Sequence, residues 1–237
     1  MAWINNRWLD HDEREELFAV YDEYFREIID SYGDDPTNWP SEAIERFPIY
    51  SRLERVRRCE GNLLEFAIEY FSEARNPGND GNWDGFDIKS VDDAAEFHRE
   101  LNEIMDEVST KEKNAKIAVA APRSHAKSTY LSKAYPIREV VYRLRKYIII
   151  ISETPSVSKA NMEWIRNQLK FNRKLREDFG PLLSPKDQAN IRDNGEGFIA
   201  WHPEERDAEM RKQIALVEAA STGQALRGRT GTDRVRI

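Results

Sequence analysis

Ala121, Pro122, Arg123, Ser124, His125, Ala126, Lys127, Ser128 and Thr129 combine two cations, three hydroxyls and a tight turn. They follow directly on the apolar run Ile117-Ala118-Val119-Ala120. The arrangement reads as a strand, a turn, and a Lys-Ser pair that opens a helix. Such a layout can cradle phosphates, because backbone N–H groups line a concave turn and the helix N-terminus adds partial positive charge. Lys127 is placed to reach outer phosphates, and the Ser128 hydroxyl to help hold a phosphate-bound Mg²⁺. The general pattern has glycine where Ala121 and Ala126 stand. Alanine tolerates positive φ and close approach of a phosphate less well. The competing reading is an ordinary strand-to-helix turn with a surface lysine.

Other residues of this kind carry less. Arg123, four positions before Lys127, could polarise a γ-phosphate and stabilise charge developing in phosphoryl transfer. It could equally hold the loop through a carboxylate. His125 has no neighbouring carboxylate to orient its ring, so a structural role is expected. His98, on an amphipathic helix, is expected to be partly buried. His11 and His202 form no metal-binding spacing. Glu153 is a poor Mg²⁺ ligand, since Ser152 closes the apolar run where an aspartate is needed. Ser221 to Arg229 is a second unusual segment. Its Gly223, Arg227, Gly228 and Arg229 could approach phosphates of a nucleotide or of DNA, or could form a flexible surface turn.

Elements must position these groups. Apolar residues at helical spacing predict helices over 12–30 and 63–71, and another from Ser90 through Val108. A helix from Ser41 is expected to break at Pro48. Residues 76–87, rich in Gly, Asn and Asp, read as a loop. Lys116–Ala120 and Tyr147–Ile151 read as buried strands. Helices are expected over 128–144 and 156–179, the second stopped by Gly180-Pro181. Phe198–Trp201 and Ile214–Ala219 are further strand candidates. The alternation of strand and helix implies right-handed crossovers and a parallel sheet. The predicted architecture is α/β, a mainly parallel sheet flanked by helices and preceded by a helical N-terminal region. Residues 1–90 would form that region and 91–237 the α/β domain.

Composition bounds the function. The chain has 237 residues, 40% hydrophobic and 33% charged, which describes a folded rather than a disordered protein. No apolar run approaches the length that spans a bilayer, and Met1 to Leu17 does not resemble a signal peptide. Cys59 is the only cysteine, so no intrachain disulfide forms, and packing is its expected role. A reducing cytoplasm is the expected compartment. The net charge of −7 hides a partition: residues 1–115 carry −16 and residues 116–237 carry +9. The basic part is the part with the loop.

With these residues placed, the chain resembles the N-terminal part of a bacteriophage or prophage terminase large subunit, a DNA-packaging ATPase. The resemblance spans roughly 57–228. It is carried by Ala121–Thr129, Tyr147–Thr154, Ser158–Asn161 and Gly223–Gly228, and more weakly by Glu96–Leu101 and Phe66–Phe71. It implies a P-loop NTPase-type sheet that binds ATP and Mg²⁺. Lys127 would bind phosphates, Ser128 would help hold Mg²⁺, and Arg123 would sense or polarise the γ-phosphate. It also implies double-stranded DNA, a portal protein and a small terminase subunit as partners, a homo-oligomeric ring on the procapsid, and the cytoplasm of a bacterial host. In the family a strand ending in acidic residues follows the Leu-Arg-Gly loop, and a nuclease domain comes later. This chain stops at Ile237, so an incomplete sheet and weak ATP hydrolysis are expected. Two alternatives stand: a helical adaptor on a degenerate nucleotide fold, or another P-loop motor such as a helicase.

Overall fold

The computed structural model describes residues 1–81, 86–111, 115–122, 125–207 and 210–223. The chain opens on a hairpin of strands β1 (Ala2–Ile4) and β2 (Arg7–Leu9), with Trp3 opposite Trp8. Its two turn residues, Asn5 and Asn6, have φ of 51° and 61°. Two consecutive left-handed residues make a two-residue turn whose twist matches the strands, and asparagine tolerates that conformation. Helix α1 (His11–Tyr32) starts at a reciprocal cap. The Asp10 side chain accepts from the Glu13 N–H at 2.9 Å, and the Glu13 carboxylate accepts from the Asp10 N–H at 3.1 Å.

Helix α2 (Ser41–Glu60) runs straight through Pro48, against the predicted break. The proline ring deprives the Ile44 carbonyl of its donor. Ile44 lies on the exposed side, where water can replace that bond. Helix α3 (Leu63–Phe71) is buried along its whole length and forms the centre of the molecule. The helix expected from Ser90 begins instead as a 3₁₀ turn, Val91–Asp93, with α4 (Glu96–Thr110) behind it.

The first predicted strand is absent. Lys116–Ala120 forms neither strand nor helix, and only Val119 among its five residues is partly buried. A lysine, two alanines and an exposed Ile117 bury little apolar area to offset the ordering of an extended segment. The next helix is continuous but composite. It comprises α5 (Lys127–Thr129), a π-helical stretch Tyr130–Ala134, and α6 (Tyr135–Val141). Pro136 accounts for the widening: it has no N–H, and its ring would clash with the carbonyl four residues earlier.

Strand β3 (Tyr147–Ser152) is followed by α7 (Pro155–Phe171) and α8 (Arg173–Phe179). The single helix expected over 156–179 is broken at Asn172. Its backbone turns extended, and its side chain caps the Leu175 N–H at 3.2 Å. Gly180 ends α8 at φ 80°, a conformation suited to glycine. Strands β4 (Asp193–Asn194), β5 (Gly197–Asp207) and β6 (Met210–Ser221) complete a four-stranded sheet of order β3-β6-β5-β4.

The fold is mixed α/β, but the sheet is not mainly parallel. Only β3 and β6 run parallel; β6–β5 and β5–β4 are antiparallel. Both late strand candidates belong to the β5–β6 ladder, and both extend well beyond the predicted residues. Strands so close in sequence pair antiparallel, whereas a parallel pair needs a long crossover.

One apolar core joins residues from Ala2 to Ala219, drawing on both regions the sequence suggested. A satellite cluster packs Phe25, Trp39 and Ala43 between α1 and α2. Two charged networks tie the helices to this core. The Asp178 carboxylate, fully buried on α8, accepts from Arg55 Nε at 2.8 Å, from Tyr70 Oη at 2.7 Å and from Arg52 Nε at 3.3 Å. Buried Arg138 on α6 pairs with Asp106 of α4 and with Glu139, and donates to Ser109 Oγ at 2.8 Å. Burial pushes the Asp106 and Glu139 carboxyls up, against the pull of Arg138. Among the described residues no helix is long and apolar enough to cross a membrane.

Candidate phosphate-binding loop

Ala126 turns the chain into α5 with φ 51° and ψ 14°, the left-handed region. Its carbonyl accepts from the N–H groups of Thr129 and Tyr130 at 3.0 and 3.1 Å, which starts the helix. A Cβ in that conformation costs about 1–2 kcal/mol relative to glycine. This is the position where the phosphate-loop pattern has glycine, so the residue type departs from the pattern while the backbone keeps a glycine-like turn.

Directly after it, Lys127 folds back over the loop. Its Nζ donates to the Ala121 carbonyl at 2.7 Å and to the Pro122 carbonyl. The ammonium therefore spans the turn and holds its two ends together. Two neutral carbonyls satisfy hydrogen bonds without neutralising the charge, which stays free to attract an anion. Ser128 is exposed, and Thr129 is half-buried. Arg123 and Ser124 lie outside the described residues. His125 is exposed and meets the Phe97 ring edge-on, with centroids 6.0 Å apart.

That contact belongs to an aromatic brace under the loop. Phe97 and His98 come from α4, and His98 lies 5.2 Å from buried Tyr130 at the start of the π-helical stretch. The partial burial expected of His98 is found. Its packing on the helix that follows the loop was not legible. The only signal was two adjacent aromatic rings on α4, and these read equally well as a core face.

The second predicted segment starts at the end of the parallel strand pair. Ser152 and Ser221 are register partners, and the Thr222 N–H donates to the Ser152 carbonyl at 3.2 Å. Gly223 is exposed, with open space where a Cβ would stand. Arg227, Gly228 and Arg229 lie outside the described residues. The carboxyl ends of parallel strands are a recurrent place for ligands in α/β folds. Glu153 is exposed there, beside the start of α7.

The structure thus brings Lys127 together with Ala121 and Pro122, and Ser221–Gly223 together with the end of β3. The bonds of Lys127 Nζ go to its own loop. Among the described residues no group of three or more His, Cys, Asp or Glu side chains could hold a metal ion. A Mg²⁺ at Ser128 would therefore depend on phosphate oxygens and water for its other ligands. The exposed hydroxyl suits that role. The perturbed carboxyls of Asp106 and Glu139 are occupied in bracing α6 against α4. A cleft of about 730 Å³ beside α8 includes none of residues 121–129.

Compared with known proteins, the chain matches no family model, no curated protein and no solved structure.

Proposed function

We propose that the loop over residues 121–129 binds the phosphates of Mg²⁺-ATP, and that the chain is the ATPase-domain portion of a viral terminase large subunit. Such a motor powers packaging of double-stranded DNA into a procapsid in the cytoplasm of a bacterial host. Docking on a portal protein, a small terminase subunit and assembly as a homo-oligomeric ring belong to the same proposal. The observation that carries it is the left-handed turn at Ala126 leading into a lysine whose ammonium lies over the loop. On nucleotide binding, Lys127 Nζ exchanges two carbonyl oxygens for β- and γ-phosphate oxygens, a charge-assisted and stronger pairing. Ser128 contributes a hydroxyl to Mg²⁺, and the N–H groups opening the helix face the phosphates. Arg123 is assigned the γ-phosphate.

The test is a melting curve with and without Mg²⁺-ATP. At a hundredfold excess over Kd a single site stabilises by about 2.7 kcal/mol, which in a chain of this size raises Tm by roughly 5–10 °C. Lys127→Ala is expected to abolish the shift while leaving the unliganded Tm within about 2 °C, since its bonds are partly exposed.

A second reading is favoured by one observation, the exposure of Lys116–Ala120 outside the sheet. Without that strand the loop lacks a rigid base, and the chain would act as a helical adaptor on a degenerate nucleotide fold. No shift of Tm with Mg²⁺-ATP selects this reading.

A further inference from the structure

A cleft of about 730 Å³ opens between the β1–β2 hairpin, α2 and the junction of α7 and α8. That volume suits a small organic ligand. Four cations line it, Arg52, Lys170, Arg173 and Arg176, against the single lining carboxylate of Glu177. Three of the four already have anionic partners. Arg52 pairs with Asp178, Lys170 with Asp187 at 2.6 Å, and Arg173 with Glu177 at 2.7 Å.

Arg176 differs. One terminal nitrogen donates to the Leu169 and Leu183 carbonyls, at 3.3 and 2.9 Å. Its Nε and other terminal nitrogen make no hydrogen bond among the described residues, and no described carboxylate pairs with it. Burial holds its pKa below the ordinary arginine value, with no opposing carboxylate. A guanidinium partly removed from water and lacking a counter-charge is costly unless an anion arrives.

The walls define the rest of the ligand. Phe171 is 62% exposed at the end of α7, an unusual position for a large apolar ring. Trp3 lines the cleft from the hairpin and packs against Gly180. The exposed Asn5 and Asn6 side chains stand at the rim with no hydrogen bond among the described residues.

We propose that this cleft binds a small organic anion bearing a carboxylate or phosphate on a flat apolar ring, with the oxyanion on Arg176 and the ring against Trp3 and Phe171. The guanidinium fork matches either oxyanion. The site is separate from the loop at Lys127 and does not depend on its reading.

The test uses phenyl phosphate, benzoate and inorganic phosphate, added to the ¹⁵N-labelled full chain. The Trp3 indole N–H resonance is identified by its loss in Trp3→Phe. Phenyl phosphate or benzoate is expected to shift that resonance along a single-site curve, and the tighter of the two names the oxyanion. Arg176→Met is expected to weaken binding about tenfold or more. Phe171→Ala, at an exposed position with no folding role, is expected to weaken it about threefold or more. Lys127→Ala is expected to leave it unchanged. If Arg176→Met does not fold, Phe171→Ala carries the test. A Trp3 resonance unmoved up to the solubility limit of both aromatic probes overturns the proposal, as does full affinity in Phe171→Ala. Inorganic phosphate binding as tightly as phenyl phosphate removes the ring from the account and likewise overturns it.

Discussion

Replacing Ala126 by glycine tests the loop geometry with the smallest change of atoms. At φ 51° the alanine Cβ crowds its own backbone, a cost of about 1–2 kcal/mol. Glycine removes that strain but has more freedom to lose on folding, roughly 0.5–1 kcal/mol. The net effect is a gain of about 0–1.5 kcal/mol. At about 2–4 °C per kcal/mol for a chain of this size, Tm stays level or rises by up to about 6 °C. Mg²⁺-ATP affinity is expected to rise as well, because the backbone can approach a phosphate more closely without the methyl group. Ala126→Val is the opposing arm. A β-branched residue is a backbone outlier at this φ, and a further loss of about 1–3 kcal/mol is expected, with loss of nucleotide binding. Calorimetric melting and nucleotide titration of the three proteins decide the matter. A glycine variant melting more than about 2 °C below the parent, or a valine variant indistinguishable from it, refutes a left-handed residue at 126.

Three further outcomes are expected. Asp178→Asn leaves Arg52 and Arg55 facing a neutral group in a buried site, and should cost about 3–5 kcal/mol in denaturant unfolding. His202 makes the protein acid-sensitive. Its Nδ1 accepts from the N–H groups of Glu204 and Glu205 at 3.1 and 2.8 Å, and its Nε2 faces Glu205 Oε1 at 2.9 Å, so the neutral Nε2–H form is held. Burial first, then the nearby Arg143 and Lys212 charges, lower its pKa from 6.5 to about 4, with only Glu205 opposing. The unfolded chain then binds the proton more readily. The stability contributed is complete above about pH 6.5 and lost as pH falls toward 4, up to about 3 kcal/mol. His202→Asn, which keeps an acceptor near the Nδ1 position, should flatten this part of the pH–stability curve. Cys59 is fully buried and burial pushes its thiol up. A maleimide at neutral pH should therefore label it only after unfolding.

Helix-forming segments were legible wherever an apolar stripe continued without interruption. Helices α1, α3 and α4 were visible in this way, and so was β3, whose run of isoleucines has few other uses. Gly180 marked its helix end because only a residue comfortable at positive φ fits there. The errors share a cause: local residue type was asked to decide what neighbours decide. Pro48 does not stop α2, because its freed carbonyl lies on a wet face. Asn172 does break a helix, because its side chain offers the next turn a cap. Lys116–Ala120 looks like a strand by composition, but a strand needs a partner edge and enough apolar area to hold it. The hairpin at Asn5-Asn6 was hidden by its brevity. At the candidate site, the left-handed turn and the lysine were inferable from spacing. The aromatic brace from α4 and the cleft at Arg176 were not, since both join residues far apart in the chain.

The central claim is that Lys127 holds a nucleotide's phosphates, and a crystal structure with Mg²⁺ and a non-hydrolysable ATP analogue tests it most directly. The account predicts Lys127 Nζ released from the Ala121 and Pro122 carbonyls and within about 3 Å of a β- or γ-phosphate oxygen, with Ser128 Oγ turned toward the metal. Nucleotide bound elsewhere, with Lys127 still resting on its own loop, would contradict it.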